Sequence, residues 1–207
     1  MHKEGIPFVV LFLIAAVAAG ILHFFSYILV PLFLAFSLFS AFFFRDPARS
    51  IPADPALLVS PADGSVVKIQ PIDGGEAGRY QRVSIFLSVF NVHINRVPSD
   101  GRITDIRYTR GKFLAAFNHL ASEQNERNCL WLKQGDRCYR ITQIAGLIAR
   151  RIVCWKKPGE QVRKGDRFGL IRFGSRVDLD LPMDVEILVK VGDKVRGGMT
   201  VVGRLPD

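Results

Sequence analysis

Forty consecutive residues, from Gly5 through Phe44, contain no Asp, Glu, Lys or Arg. A stretch of that kind cannot form a water-exposed surface, so it fixes where the rest of the chain must live. A bilayer core of about 30 Å is spanned by roughly 20 apolar residues. One helix of forty residues would be about 60 Å long, too long for a single crossing even when tilted. The run therefore predicts two transmembrane helices, at about 7–20 and 25–44, with a turn near Gly20-Ile21-Leu22-His23. His23 then reads as an interfacial residue, and Pro31 as a kink whose freed carbonyl is satisfied locally. A cleaved signal peptide is the competing reading, with Ala15-Ala16-Val17-Ala18-Ala19-Gly20 imitating a processing site. The apolar run continuing past Gly20 argues against it.

Ten of the 16 Phe lie in the first 44 residues, where Lys3 and Glu4 are the only charges. The whole net charge of +9 thus belongs to residues 45–207, a length that can bury one ordinary core. Fully soluble, disordered-tail and many-span transporter classes are excluded. Lys3 opens the apolar run and Arg45 and Arg49 close it. Basic flanks stay on the cytoplasmic side, so a hairpin predicts a cell-membrane anchor with the following domain on the cytoplasmic face. The positive charge suits an anionic membrane surface. No recognition motif accompanies it, so nucleic acid is not an expected partner. Cys129, Cys138 and Cys154 match neither a metal-binding spacing nor an even disulfide framework; reduced thiols and no metal are expected.

In residues 45–207, Gly and Pro punctuate short β-branched runs. Strands are expected at 57–60, 65–70, 82–88, 102–109, 128–133, 138–143, 168–173, 176–181, 185–191 and 200–205, with weaker helical signals at 113–125 and 145–151. The fold class is mainly β with a few short helices. One internal repeat has a constant offset of 33: Lys157-Pro158-Gly159-Glu160-Gln161-Val162-Arg163-Lys164-Gly165 against Lys190-Val191-Gly192-Asp193-Lys194-Val195-Arg196-Gly197-Gly198. Each copy reads as a turn, an inward Val and a second Gly turn. The pair is similar to the half-motifs of a lipoyl/biotinyl-like β-sandwich, with Pro61-Ala62-Asp63-Gly64-Ser65-Val66-Val67 as a first turn and strand. No Lys stands in an acceptor context for a swinging arm.

Few residues are equipped for chemistry. Gly174-Ser175 lies between two strand-like runs. A serine Oγ reaches the preceding carbonyl through a five-membered ring, and a preceding Gly has no Cβ to obstruct the approach. Taken alone, the dipeptide reads as a plain tight hairpin. His2 and His23 belong to the membrane arm, leaving His93 and His119; His119 reads as a surface residue. On the residues alone, His93 reads as a strand histidine bonded to a backbone carbonyl, and Asp63 as a turn-capping Asp before Gly.

The words around these residues carry a resemblance. Phe173-Gly174-Ser175-Arg176-Val177-Asp178, Pro61-Ala62-Asp63-Gly64, Phe86-Leu87-Ser88-Val89-Phe90-Asn91-Val92-His93-Ile94-Asn95-Arg96-Val97-Pro98 and Lys112-Phe113-Leu114-Ala115-Ala116-Phe117-Asn118 together resemble the phosphatidylserine decarboxylase family in its short, membrane-anchored form. Asn125-Glu126-Arg127-Asn128 and the segment 144–152 fit the same family, and the order is preserved across the whole domain.

The resemblance implies a proenzyme. Ser175 attacks the Gly174 carbonyl, an ester replaces the amide, and β-elimination releases the upstream chain. The dehydroalanine left behind is hydrolysed, taking up water and losing ammonia, to become a pyruvoyl group, the covalent cofactor. The products would be a β chain, 1–174, and an α chain, 175–207, forming a heterodimer with scope for further dimerisation. The substrate would be phosphatidylserine, decarboxylated through a Schiff base to phosphatidylethanolamine and CO₂. By the same resemblance His93 is the general base for Ser175 and a proton donor in turnover, and Asp63 orients it. Longer relatives carry a second His where this chain has Arg96. Arg172 and Arg176 are candidates for pairing with the lipid phosphate or serine carboxylate, with solvated strand charges as the alternative. Phe113, Leu114 and Phe117 are candidates for an apolar lip or for core. A non-enzymatic membrane adaptor with a lipoyl-like domain is the competing function, and a serine protease acting in trans a third.

Overall fold

The computed structural model describes all residues except 23–25, 74–77, 115–123, 147–150, 173–174 and 207. It separates into two compact units, Met1–Ala48 and Arg49–Asp207.

In the first unit a 3₁₀ turn at Lys3–Gly5 leads into α1 (Ile6–Ile21), and α2 spans Ser26–Phe43. Lys3–Ile21 is 19 residues with mean hydropathy 2.3, long and apolar enough to cross a membrane; Tyr27–Phe43 is a shorter apolar helix. The two helices pack on one another. Phe12 stacks on Phe36 with ring centroids 5.4 Å apart, Phe8 stacks on Phe44 at 5.5 Å, and Ser37 Oγ donates to the Val9 carbonyl. Gly20, expected in the turn, instead lies inside α1, where its missing Cβ leaves room near Val30.

The second unit is mainly β. Its strands are β1 (Leu57–Val59), β2 (Gly64–Asp73), β3 (Arg79–Leu87), β4 (Ile94–Arg96), β5 (Gly101–Thr109), β6 (Arg127–Gln134), β7 (Arg137–Ala145), β8 (Ile152–Cys154), β9 (Gln161–Val162), β10 (Arg167–Ile171), β11 (Ser175–Pro182), β12 (Glu186–Ile187), β13 (Lys194–Val195) and β14 (Val201–Arg204). An eight-stranded sheet runs β13-β2-β3-β11-β7-β6-β5-β9, and two three-stranded sheets run β1-β14-β12 and β4-β10-β8. Successive side chains of a strand face opposite ways. Val83, Ile85 and Leu87 on β3, Val177, Leu179 and Leu181 on β11, and Tyr139, Ile141 and Ala145 on β7 therefore form one buried apolar face. The opposite face of the same strands carries a charged ladder. Asp180 is held by Arg82 at 2.6 and 2.9 Å and by Arg140 at 3.1 Å, while Asp178 is held by Arg176 at 2.7 Å. Both carboxylates are almost fully buried, and ionic partners are what make that burial tolerable.

Sequence patterning located most strands to within a few residues. The stretch 185–191 yields only Glu186–Ile187 as a strand, and β4, β8, β9 and β13 went unanticipated. Ala145, assigned to a helix, closes β7 instead. Gly146 and Arg151 are not helical either, and the rest of that helix signal, with most of the one at 113–125 including His119 and Phe117, lies outside the described residues.

The 33-residue repeat becomes an internal two-fold correspondence. Val162 sits on β9 and Val195 on β13, at opposite edges of the large sheet, and both are buried. Gly159 and Gly192 adopt φ of 90° and 98°, and Gly165 and Gly198 adopt 84° and 78°. That left-handed region is open to glycine at little cost. The partners are duplicated too, 37 residues apart. Gly165 N–H donates to the Val97 carbonyl and Gly198 N–H to the Ser60 carbonyl, each at 2.8 Å. Arg96 N–H donates to Pro61 and Val59 N–H to Pro98, so the two Pro-x-Asp-Gly turns exchange hydrogen bonds.

Candidate active site

Three pairs of strands lead from the large sheet to the β4-β10-β8 sheet, with their ends side by side. β3 ends at Leu87 and β4 begins at Ile94; β7 ends at Ala145 and β8 begins at Ile152; β10 ends at Ile171 and β11 begins at Ser175. On the large sheet Ser175 lies opposite both Leu87 and Ala145. On the small sheet Leu170 lies opposite Ile94, and Ile171 opposite Ile152. The strand ends that flank His93 and Ser175 are thus neighbours, though 82 positions separate the two residues. Gly174, the expected acyl side of the cleaved bond, lies outside the described residues.

Ser175 is the first residue of β11, on the same face as Val177 and Leu179, and is fully buried. Its Oγ has no hydrogen-bond partner among the described residues. A buried hydroxyl in that state costs about 1–3 kcal/mol, so its retention calls for a reason. His93 is also buried, with Nδ1 2.9 Å from the Asn91 carbonyl oxygen. A carbonyl only accepts, so Nδ1 carries the proton and Nε2 is the basic nitrogen of the neutral ring. The connection is stiffened upstream, where Asn91 Oδ1 accepts from Ser88 N–H at 2.9 Å and Ser88 Oγ at 2.8 Å.

The other expected site residues fall into different surroundings. The Asp63 carboxylate is engaged by Arg49 at 2.9 Å through Oδ2 and by Gly197 N–H at 2.7 Å through Oδ1. Arg176 alternates with Ser175, so it stands on the opposite face of β11, where Asp178 and Ser84 (2.6 Å) take its guanidinium. Arg172 belongs to the crossing itself, and its N–H donates to the Arg151 carbonyl. Arg96 is buried and donates through Nη1 to Gly165 O at 3.0 Å, inside the first repeat turn. Phe113 packs against the core and Leu114 is half-buried.

Asn125 ties the crossing to the neighbouring segment. Its Oδ1 accepts from Leu114 N–H, and its Nδ2 donates to the carbonyls of Leu114 and Ala145, each at 2.8 Å. Ala145 is the residue facing Ser175, so this amide fixes the strand end against which Ser175 sits. Asn95 and Gln143 were not anticipated; they join in the interior through a 2.9 Å hydrogen bond. Among the described residues no cluster of ligating side chains suits a metal, and none of the three cysteines is bridged. Burial pushes the Cys154 thiol up and Cys129 up to about 11, so both are neutral, unreactive thiols at ordinary pH.

Fold and site together place the chain among mainly β proteins with a buried polar centre where strands cross between sheets. The phosphatidylserine decarboxylase family profile matches residues 36–203. A phosphatidylserine decarboxylase proenzyme of Chlorobium chlorochromatii is 49% identical over 177 residues, covering 85% of this chain and 84% of that one. Proenzymes of the same description from Desulfotalea psychrophila and Syntrophus aciditrophicus are 46% and 47% identical, covering 98% and 97% of this chain and 95% of each relative. The chain belongs to the phosphatidylserine decarboxylase family, a family of enzymes made as proenzymes.

Proposed function

We propose that this protein is a membrane-anchored, pyruvoyl-dependent decarboxylase that converts phosphatidylserine to phosphatidylethanolamine and CO₂ after cleaving itself between Gly174 and Ser175. The observation that carries the reading is Ser175 Oγ: a nucleophile with no partner among the described residues, fully buried at the head of β11, beside the His93 connection. An orphaned hydroxyl at that place fits the precursor of a group generated in situ. A pyruvoyl group there supplies a carbonyl that condenses with the substrate amine and accepts the electron pair released with CO₂.

The residues of the chain do the rest. His93 Nε2 takes the Oγ proton as Ser175 adds to the preceding carbonyl, and later delivers a proton in turnover. Hydrogen bonding of Nδ1 to Asn91 holds the tautomer needed for the first role. Asp63 contributes through the Arg49–Asp63 pair at the Pro-x-Asp-Gly turn, which abuts Arg96 three residues beyond His93. Arg172 is the candidate for the anionic headgroup; the partners of Arg176 direct it away from that task. After cleavage the α chain still supplies β11, sandwiched between β3 and β7, together with β12–β14, so the two chains remain one folded unit.

The apolar helices α1 and α2 and the net charge of +9 support anchoring in the cell membrane, with the domain on an anionic cytoplasmic face. The duplicated turns at the two sheet edges support the lipoyl/biotinyl-like description of the domain. The decisive experiment is the intact mass of the purified protein under denaturing conditions. Two chains split at Gly174/Ser175, the smaller lacking a free amino terminus and reacting with carbonyl reagents, are expected. A single chain with active decarboxylation would refute the proposal.

A further inference from the structure

The face of the large sheet opposite to the Ser175 face holds a hollow of about 250 Å³. Strand register explains it. One row of residues runs straight across four strands: Arg107 on β5 lies opposite Cys129 on β6, Cys129 opposite Thr142 on β7, and Thr142 opposite Asp178 on β11. Cys129 and Thr142 are short, and Thr142 Oγ1 donates to Cys129 Sγ at 3.4 Å, so they form a low floor. Longer side chains occupy the positions two residues away on the same face. These are Arg127 and Trp131 on β6, Arg140 on β7 and Asp180 on β11, with Arg82 of β3 opposite Asp180. Floor and walls together line the hollow.

Charge around this floor is unbalanced. Asp180 is engaged by Arg82 and Arg140, and Asp178 by the buried Arg176. Arg107 pairs with Asp105, but the two side chains are 72% and 41% exposed, and such a pair is weak. Five guanidinium groups, Arg127 among them, thus gather with three carboxylates. Arg107 and Arg140 each give only Nε to a carboxylate among the described residues, which leaves both Nη groups of each for another acceptor. Ring contacts already position them: the Arg107 guanidinium lies 5.1 Å from the Trp131 ring centroid and that of Arg140 lies 4.8 Å from the Tyr80 centroid. Arg107 and Arg127 are diagonal neighbours across β5 and β6, where like charges repel. A sheet face built only for stability gains nothing from that arrangement around a hollow.

We propose that this hollow is a binding site for a phosphate group, separate from the site at Ser175. A tetrahedral oxyanion accepts hydrogen bonds from several directions at once, and Arg107, Arg127 and Arg140 stand beside the floor on three neighbouring strands. Guanidinium forks match phosphate oxygens in pairs. Arg107 is largely exposed, so the hollow is reached from outside, by a soluble phosphate or by the phosphate of a lipid headgroup. The inference is independent of what Ser175 does, because Ser175 faces the other side of β11.

The test is calorimetric titration of the full-length protein in detergent micelles, at constant ionic strength set by chloride. Inorganic phosphate is one probe and a short-chain phosphatidic acid the other. Saturable binding of at least one is expected. Binding of inorganic phosphate shows that a soluble anion suffices; binding of phosphatidic acid alone assigns the site to a lipid headgroup. Arg107→Gln changes an exposed side chain and should weaken the binding about tenfold. Arg107→Lys keeps the charge without the fork and should fall between that variant and wild type. Arg102→Gln removes the same charge at an exposed position outside the hollow and should leave the affinity unchanged. Failure of both probes to saturate, wild-type affinity in Arg107→Gln, or an equal loss in Arg102→Gln overturns the proposal.

Discussion

Asp63 and Asp100 occupy the same place in two copies of one turn. Asp63 Oδ1 accepts from Gly197 N–H at 2.7 Å, and Asp100 Oδ1 accepts from Lys164 N–H at 2.8 Å. Gly197 and Lys164 are equivalent positions of the 33-residue repeat, and Gly64 and Gly101, which follow the two aspartates, pair with Val195 and Val162. The first duty of each carboxylate is to clamp a repeat turn to a sheet edge. What distinguishes Asp63 is Arg49, bound to its other oxygen.

That equivalence gives a controlled comparison. Asp63→Ala and Asp100→Ala each remove a charged acceptor from a backbone N–H, and each should cost about 1–3 kcal/mol of stability by denaturant melting. Only Asp63→Ala should impair chain splitting as well. Equal processing in the two variants would confine Asp63 to the clamp.

Ser175→Ala should accumulate as one intact, inactive chain of 207 residues. In the unmodified protein the two fragments should copurify until denatured, because β11 is an interior strand of the large sheet. Normal two-fragment processing of Ser175→Ala, measured by mass, would contradict the assignment.

His93→Ala should lower the rate of splitting by about 10²–10⁴-fold, the usual worth of a positioned general base. Time-resolved electrophoresis of newly synthesised chains measures this directly. A variant that splits and decarboxylates like wild type removes His93 from the mechanism.

Gly169→Ala places a methyl against the Val153 carbonyl and the Gln143 amide. Overpacking of this kind costs about 1–3 kcal/mol and should displace the Gln143–Asn95 amide pair. The expected result is a lower melting temperature together with slower processing; a neutral substitution would show that the contact is not tight.

Alkaline stability should report Cys129. Burial raises its thiol from 9.0 to about 11, so the folded state prefers the neutral form. That preference contributes fully below pH 9 and is lost as pH rises through 11. Cys129→Ala should start less stable but lose less between pH 9 and 11, as read by denaturant titrations at each pH. Parallel curves for the two proteins would argue against a raised thiol.

How much of this was legible in the residues depends on the range of the interaction. The glycines of the repeat were readable because a left-handed φ is a local demand. The strands around Val83 and Val177 were readable because alternation is local as well. β4 was not, since Ile94-Asn95-Arg96 is buried on both sides and carries an Asn and an Arg whose Oδ1 and Nη1 bond in the interior. The family motifs drew attention to Ser175, His93 and Asp63. Nothing in their spacing indicated that Arg49 and Gly197 hold the Asp63 carboxylate, or that Arg176 faces away from its neighbour.

The amino-acid sequence by itself determined that an uncharged run of forty residues forms apolar helices, that the rest forms short strands, and that two turns repeat. Those are consequences of transfer free energy and of backbone sterics acting over a few residues. Tertiary structure alone decided which strands became neighbours, and so placed Ser175 beside the His93 connection and a buried amide on the same interior layer. A period of two says which face a side chain takes, but only pairing between distant segments says what it will meet there.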